Sequence, residues 1–164
     1  MTIDAISNEI KTQNALETIG RYDYVIDGTD NFSSRYLIND ACALLGKPLL
    51  YGAVSQYEGQ LAVFNVADKK GMRTIYRDVF PKPPREGEIR NCAEAGVLGV
   101  LPGIVGTIQA AEVIKLVTGI GKPLVNQLLT YNVLSQETYT LELTKEPSTR
   151  QLMPVTPQAF MSRQ

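Results

Sequence analysis

The 164-residue chain predicts an α/β fold: a mixed sheet that is parallel on one side, extended by antiparallel strands, with helices flanking it. Two observations carry that expectation. Short β-branched and aromatic runs at residues 24–26 and 48–54 alternate with segments of helical periodicity, the pattern of parallel strands joined by helical crossovers. Farther on, residues 128–133 and 137–143 are separated only by Leu134-Ser135-Gln136, so those neighbours pair antiparallel as a hairpin.

The elements follow in order. Residues 12–20 suit a short helix, with Thr12 as N-cap and Gly20 just past its end in the left-handed region. Residues 24–26 form a buried strand that stops at the polar turn Asp27-Gly28-Thr29-Asp30-Asn31. Phe32, Tyr36, Leu37, Ala41, Leu44 and Leu45 then recur at helical spacing. Gly46 ends that helix and Pro48 forbids its continuation. Residues 48–54 read as a second buried strand. Residues 57–60 turn into a third strand over 61–66, and residues 81–95 form a long loop rich in Pro81, Pro83 and Pro84. A long helix runs over 102–118, ended by Gly119 and Gly121, and its small residues near the start suggest close packing. From Thr144 onward Lys, Glu, Pro, Ser and Thr dominate, which marks 1–143 as the globular unit and 144–164 as a linker that opens a further helix at Thr156-Pro157.

Composition excludes whole classes of function. Hydrophobic residues are 44 %, charged residues 20 % and the net charge is −1, so the chain is neither disordered nor a polybasic nucleic-acid binder. No apolar run approaches the roughly 20 residues of a membrane span, and no secretory signal opens the chain. Histidine is absent, which removes imidazole catalysis and imidazole metal ligation. The two cysteines, Cys42 and Cys92, have unlike neighbours and read as free thiols of a reducing cytoplasm. Cys42, between Ala41 and Ala43 on an apolar helix face, is core filler.

Two places have the residue types for chemistry. The first is the turn at 27–31, where a strand's C-terminal end meets a helix N-terminus, the usual ligand crevice of an open α/β sheet. Asp30 and Asn31 offer oxygen ligands for Mg²⁺ or hydrogen bonds to a ribose or phosphate, and Arg35 adds a cation one turn on. The competing reading is that Asp30 or Asn31 only caps the helix. The second place is Cys92, in Arg90-Asn91-Cys92-Ala93-Glu94-Ala95-Gly96. Arg90 favours a nucleophilic thiolate, and a half-buried structural thiol is the alternative. No Gly-x-Gly-x-x-Gly and no Walker loop occurs in the chain. Gly99, Gly103 and Gly106 fit neither spacing and read as packing glycines.

Residues 24–40, Tyr24-Val25-Ile26-Asp27-Gly28-Thr29-Asp30-Asn31-Phe32 through Asp40, resemble the central segment of the MoeB/ThiF/HesA family, bacterial relatives of ubiquitin-activating enzymes. Three further blocks match in order: residues 48–65, residues 91–103 beginning Asn91-Cys92-Ala93-Glu94-Ala95-Gly96, and residues 106–116. The resemblance spans roughly residues 10 to 143. It implies the C-terminal half of a Rossmann-type adenylating domain. It also implies an ATP- and Mg²⁺-dependent adenylyltransferase that activates the C-terminal glycine of a ubiquitin-like sulfur carrier ending in Gly-Gly, for molybdopterin or thiamin biosynthesis. By that resemblance Asp30 binds Mg²⁺, Asp30 and Asn31 contact ATP, Arg35 lies beside them as an ion-pair partner, and Cys92 is the cysteine that in some members bonds to the carrier.

The departures shape the expectation. The Gly-rich nucleotide loop and the ribose- and phosphate-binding residues of the family do not occur in these 164 residues. The isolated chain is therefore expected to be inactive, as a fragment of a longer parent. Ile75 and Asp78 stand where members with structural zinc have a Cys-x-x-Cys pair, and no second pair follows, so zinc is not expected. The expected partners are the carrier protein and a second copy in a homodimer or larger assembly, with no nucleic acid and no membrane. Residues 156–164 would open a rhodanese-like domain. Two other readings compete: a carrier-binding module without chemistry, and an unrelated α/β domain.

Overall fold

The computed structural model describes residues 2–84 and 96–144. Cys92, its neighbour Arg90, most of the 81–95 loop and the 144–164 linker beyond Thr144 lie outside the described residues.

A five-stranded sheet runs β1 (Val25–Asp27), β2 (Leu49–Ser55), β3 (Glu58–Phe64), β4 (Gln127–Asn132), β5 (Glu137–Glu142), in that spatial order. β1 and β2 are parallel, with Val25 opposite Leu49 and Asp27 opposite Tyr51; the remaining pairs are antiparallel. The sheet is thus mixed, with the antiparallel extension the sequence predicts. The helices are α1 (Ala15–Gly20), α2 (Phe32–Leu45), α3 (Tyr76–Val79) and α4 (Val100–Thr118).

α2 forms where its spacing predicts. Asn31, extended at φ −132°, accepts the Ser34 amide at 2.8 Å and satisfies one of the free donors of the first turn. Gly46 closes it at φ 66°, a conformation glycine enters without Cβ strain. Gly119 ends α4 in the same way, at φ 72°.

Strand alternation divides the core between the two faces. Leu49, Tyr51, Ala62 and Phe64 face α1, α2 and α3. Leu61 and Val63 face α4, where they meet Leu101 and Val105. Tyr76 is the centre of the first face, with ring centroids 4.8 Å from Phe80, 5.0 Å from Tyr36 and 5.3 Å from Tyr51. Two asparagines tie connections into this frame, each at positive φ: Asn65 at 62° and Asn126 at 55°. The Asn65 amide donates to the carbonyls of Cys42 and Lys47, and Asn126 accepts from the Thr74 amide and hydroxyl while donating to Met72.

Several local expectations are corrected. Gly20 is the last residue of α1 rather than a left-handed residue beyond it, because the chain tightens through Arg21 and Tyr22, whose amides donate to Thr18 and Ile19. Asn14, not Thr12, occupies the N-cap position, and its side chain bonds Lys11 and Glu9 in the preceding turn. β3 begins at Glu58 inside the expected turn, since Glu58 already pairs with Ser55. α4 begins at Val100, because Leu101 is fully buried against the sheet. It is also long and apolar enough to cross a bilayer by length and composition, contrary to the expectation that no stretch is. Here it packs on the sheet through Leu101, Val105, Gln109 and Glu112.

The small residues of α4 do not mark its contact. A Cβ at Gly99, Gly103 or Gly106 would meet nothing within 4 Å. The close approach comes from the strands: a Cβ at Gly59 would fall 2.6 Å from Val105, and one at Gly52 would fall 2.5 Å from the Gln109 side chain.

Candidate functional site at the end of β1

The turn after β1 is organised by Asp27. Its carboxylate is fully buried and accepts the Thr29 amide at 2.8 Å and the Thr29 hydroxyl at 2.7 Å on one oxygen. The other oxygen meets Arg35 Nε at 3.3 Å. Arg35 also donates to the Thr29 carbonyl at 2.6 Å and lies over the Tyr51 ring at 5.2 Å. Burial works against the Arg35 charge, yet Tyr51 and Asp27 outweigh it and leave its pKa raised. The guanidinium is therefore a fixed cation, and the Asp27 carboxylate is spent on holding the turn. The ion-pair role that the resemblance implies for Arg35 is present here, with Asp27 as its partner.

Asp30 is placed differently. It is exposed, and the hydrogen bond that its side chain makes in the turn is a long 3.4 Å one from the Asn31 amide. Asn31 caps α2 with its oxygen, so the capping reading holds for Asn31 and not for Asp30. Asp30, Gly28 and Thr29 form one wall of a cavity of about 360 Å³, and Gly52, Val105 and Gln109 stand across it. A second cavity of about 510 Å³ opens on the other face of the sheet, among Tyr36, Tyr51, Gln60, Phe80 and Lys82. Arg35 borders both cavities.

Among the described residues no three His, Cys, Asp or Glu side chains gather as a metal cluster. The fit of a Mg²⁺ ion is thus specific. One free carboxylate at a cavity rim is the donor set Mg²⁺ uses when substrate phosphates and water complete its shell. It is not the donor set of a resident ion held by protein alone.

Cys42 is buried in the core cluster, as its position on the helix predicts, and burial pushes its thiol up to about 12. Around Ile75 and Asp78 the chain makes a short polar staple. Asp78 accepts the Ile75 amide at 2.8 Å, and Arg77 grips the Asp40 carboxylate at 2.6 and 2.7 Å. The hydrogen bond and field of Asp40 raise the Arg77 pKa against its burial. Asn39 accepts the Tyr76 amide beside it at 2.9 Å. Periodicity gives no sign of α3, which is only four residues long, nor of its ties to Asn39 and Asp40, whose partners lie 37 residues apart.

In sequence, the chain is 48 % identical over 146 residues to a sulfur carrier protein adenylyltransferase of Thermus thermophilus, covering 88 % of this chain and 54 % of the relative. It is 44 % identical over 136 residues to a probable adenylyltransferase/sulfurtransferase MoeZ of Mycobacterium tuberculosis, covering 83 % and 35 %. It is 44 % identical over 133 residues to the adenylyltransferase and sulfurtransferase MOCS3 of Arabidopsis thaliana, covering 81 % and 28 %. The chain therefore spans about half the length of these relatives or less. In fold it resembles MccB of E. coli, with a TM-score of 0.67 at 12 % identity over 87 % of this chain and 43 % of that one. A structure of MccB with ATP gives a TM-score of 0.63 at 12 % identity, covering 85 % and 42 %. The ThiF family profile matches residues 1–152, and the chain belongs to the ThiF family.

Proposed function

We propose that this chain supplies the Asp30 side of a site that uses ATP to adenylate the C-terminal carboxylate of a ubiquitin-like sulfur carrier protein. In that reaction the carrier carboxylate oxygen bonds to the α-phosphorus of ATP, and the bond from that phosphorus to pyrophosphate breaks. Mg²⁺ bound with ATP beside Asp30 would supply charge neutralisation on the phosphates. The residues of this chain have separate tasks. Asp27, Thr29 and Arg35 hold the turn rigid, Asn31 anchors it to α2, and Asp30 presents a carboxylate to the phosphate-bound cation. The observation that carries the reading is the contrast between two neighbouring carboxylates, Asp27 fully buried and bonded, Asp30 exposed at the cavity rim. The relatives named above, sulfur carrier adenylyltransferases among them, support the choice of a carrier as substrate.

The same reading makes the isolated chain inactive, because none of its 164 residues form a Gly-rich phosphate loop. It also makes the chain self-associating, since apolar side chains of α4 stay exposed. The test is a titration with Mn²⁺ and ATP, followed by paramagnetic broadening of backbone amide signals. The Asp30 and Asn31 amides should broaden first, and Asp30→Asn should weaken the effect roughly tenfold or more. Unchanged broadening in Asp30→Asn overturns the assignment. ATP–pyrophosphate exchange by the chain alone with a carrier overturns the expectation of inactivity.

A further inference from the structure

Gln109 occupies the point where β1 stops and β2 continues. Its amide nitrogen donates to the Asp27 carbonyl at 2.9 Å and to the Leu50 carbonyl at 3.0 Å, one hydrogen to each of two parallel strands. Two carbonyl acceptors can be met only by the NH₂ end of the side chain, which fixes its orientation. The last rung of the β1–β2 ladder is Asp27 opposite Tyr51, and Leu50 is opposite Ile26, so this amide bridges the two strands at the end of their ladder. Gln109 is buried in the α4 contact, where an amide without partners would cost free energy. Room for it exists because position 52 is glycine: an added Cβ would lie 2.5 Å from the Gln109 amide carbon.

We propose that Gln109 is a positioning residue for the Asp30 turn and that Gly52 is glycine in order to admit it. Asp27 is then held twice, through its carboxylate by Thr29 and Arg35 and through its carbonyl by Gln109. The backbone leaving Asp27 has one direction, and Asp30, three residues on, is aimed by it. Gln109 and Asp30 face the same cavity from α4 and from the turn. The inference rests on the reading of Asp30 as the residue that meets a phosphate-bound cation.

The experiment uses the whole chain with Gln109→Ala, Gly52→Ala and both together. Amide shifts and hydrogen exchange of Gly28, Thr29 and Asp30 report the turn without any ligand. Each single variant should speed exchange at Thr29 and Asp30 and shift their signals. Each should also weaken Mn²⁺–ATP broadening at Asp30 roughly tenfold or more. In the Gln109→Ala background, Gly52→Ala should add nothing, because its harm acts through the displaced amide. Gln109→Met keeps most of the volume and loses the donor without adding charge, so it should match Gln109→Ala, and it serves if the smaller side chain prevents folding. Wild-type shifts and exchange in the turn, with only a lower melting midpoint, overturn the proposal. Absence of Mn²⁺–ATP broadening in the unmodified chain overturns the function of Asp30 instead, leaving the positioning judged by shifts and exchange.

Discussion

On the face of the sheet that carries α2 and α3, buried polar side chains join elements in pairs: Asp27 with Arg35, Asp40 with Arg77, Asn39 with the Tyr76 amide, Asn65 with the end of α2. On the α4 face, Leu61, Val63, Leu101, Val105 and Leu124 meet by apolar contact, and two buried polar residues of the helix, Gln109 and Glu112, reach backbone atoms. Glu112 accepts the Leu124 amide and pairs with Lys115. The outer side of α4 stays apolar and open, with Val100 60 %, Ile114 54 % and Val117 61 % exposed. One face is thus cross-linked mostly by directional bonds, and the other is held mostly by area, with Gln109 and Glu112 as its directional exceptions. Directional bonds fix geometry, which is what a site needs, whereas area tolerates sliding.

The largest expected effect separates these two kinds of cohesion. Arg35→Ala strands the Asp27 carboxylate in the interior and should cost about 3–5 kcal/mol. On the other face, Val105→Ala removes two methyl groups from an apolar contact and should cost about 1–3 kcal/mol. Urea unfolding of both variants, compared at equal m, reads the difference. An Arg35→Ala cost below that of Val105→Ala would break the comparison.

A second test sharpens it through pH. Burial raises Cys42 from 9.0 to about 12 and Tyr36 from 10.0 to about 12, both on the cross-linked face. The folded state keeps these protons to higher pH than the unfolded chain does. Their contribution is therefore complete below about pH 9 and is lost as pH rises toward 12. Chemical unfolding between pH 8 and 11 should show stability falling, and Cys42→Val should remove the part that sets in first. A flat profile would mean that this face admits hydroxide or water to both groups.

The smallest effect on stability belongs to the open side of α4. Ile114→Ser with Val117→Ser should leave unfolding free energy within about 0.5 kcal/mol. Sedimentation equilibrium should nevertheless show weaker self-association. Association equal to that of the unsubstituted chain, or none in either, would exclude this surface as a site of self-association.

Legibility in the sequence follows range. α2 announces itself through its spacing, its Asn31 cap, Gly46 and Pro48, all within one window. The hairpin of β4 and β5 does so as well. The site is half legible. Position alone brings Asp30 and Asn31 to a strand end, but it does not tell the spent carboxylate from the exposed one, since Asp27 is distinguished by Thr29, by Arg35 and by burial. Gln109 escapes every local rule, because its acceptor Asp27 lies 82 residues away. One signal was available: a glycine inside a strand pattern marks close approach of another element. Gly52 carries it within the expected strand 48–54, whereas Gly59 falls in the expected turn, and an added Cβ on the glycines of α4 would meet nothing within 4 Å.

Asn65 and Asn126 carry a restriction on how this chain can vary. Each stands at positive φ, where a bulky or branched residue is strained, and each spends its carboxamide on main-chain groups of a distant segment. Glycine would relax the backbone and orphan the carbonyls; aspartate would fit the backbone and offer nothing to donate. Two joints of the scaffold are thereby committed to an amide side chain that tolerates positive φ, which asparagine supplies.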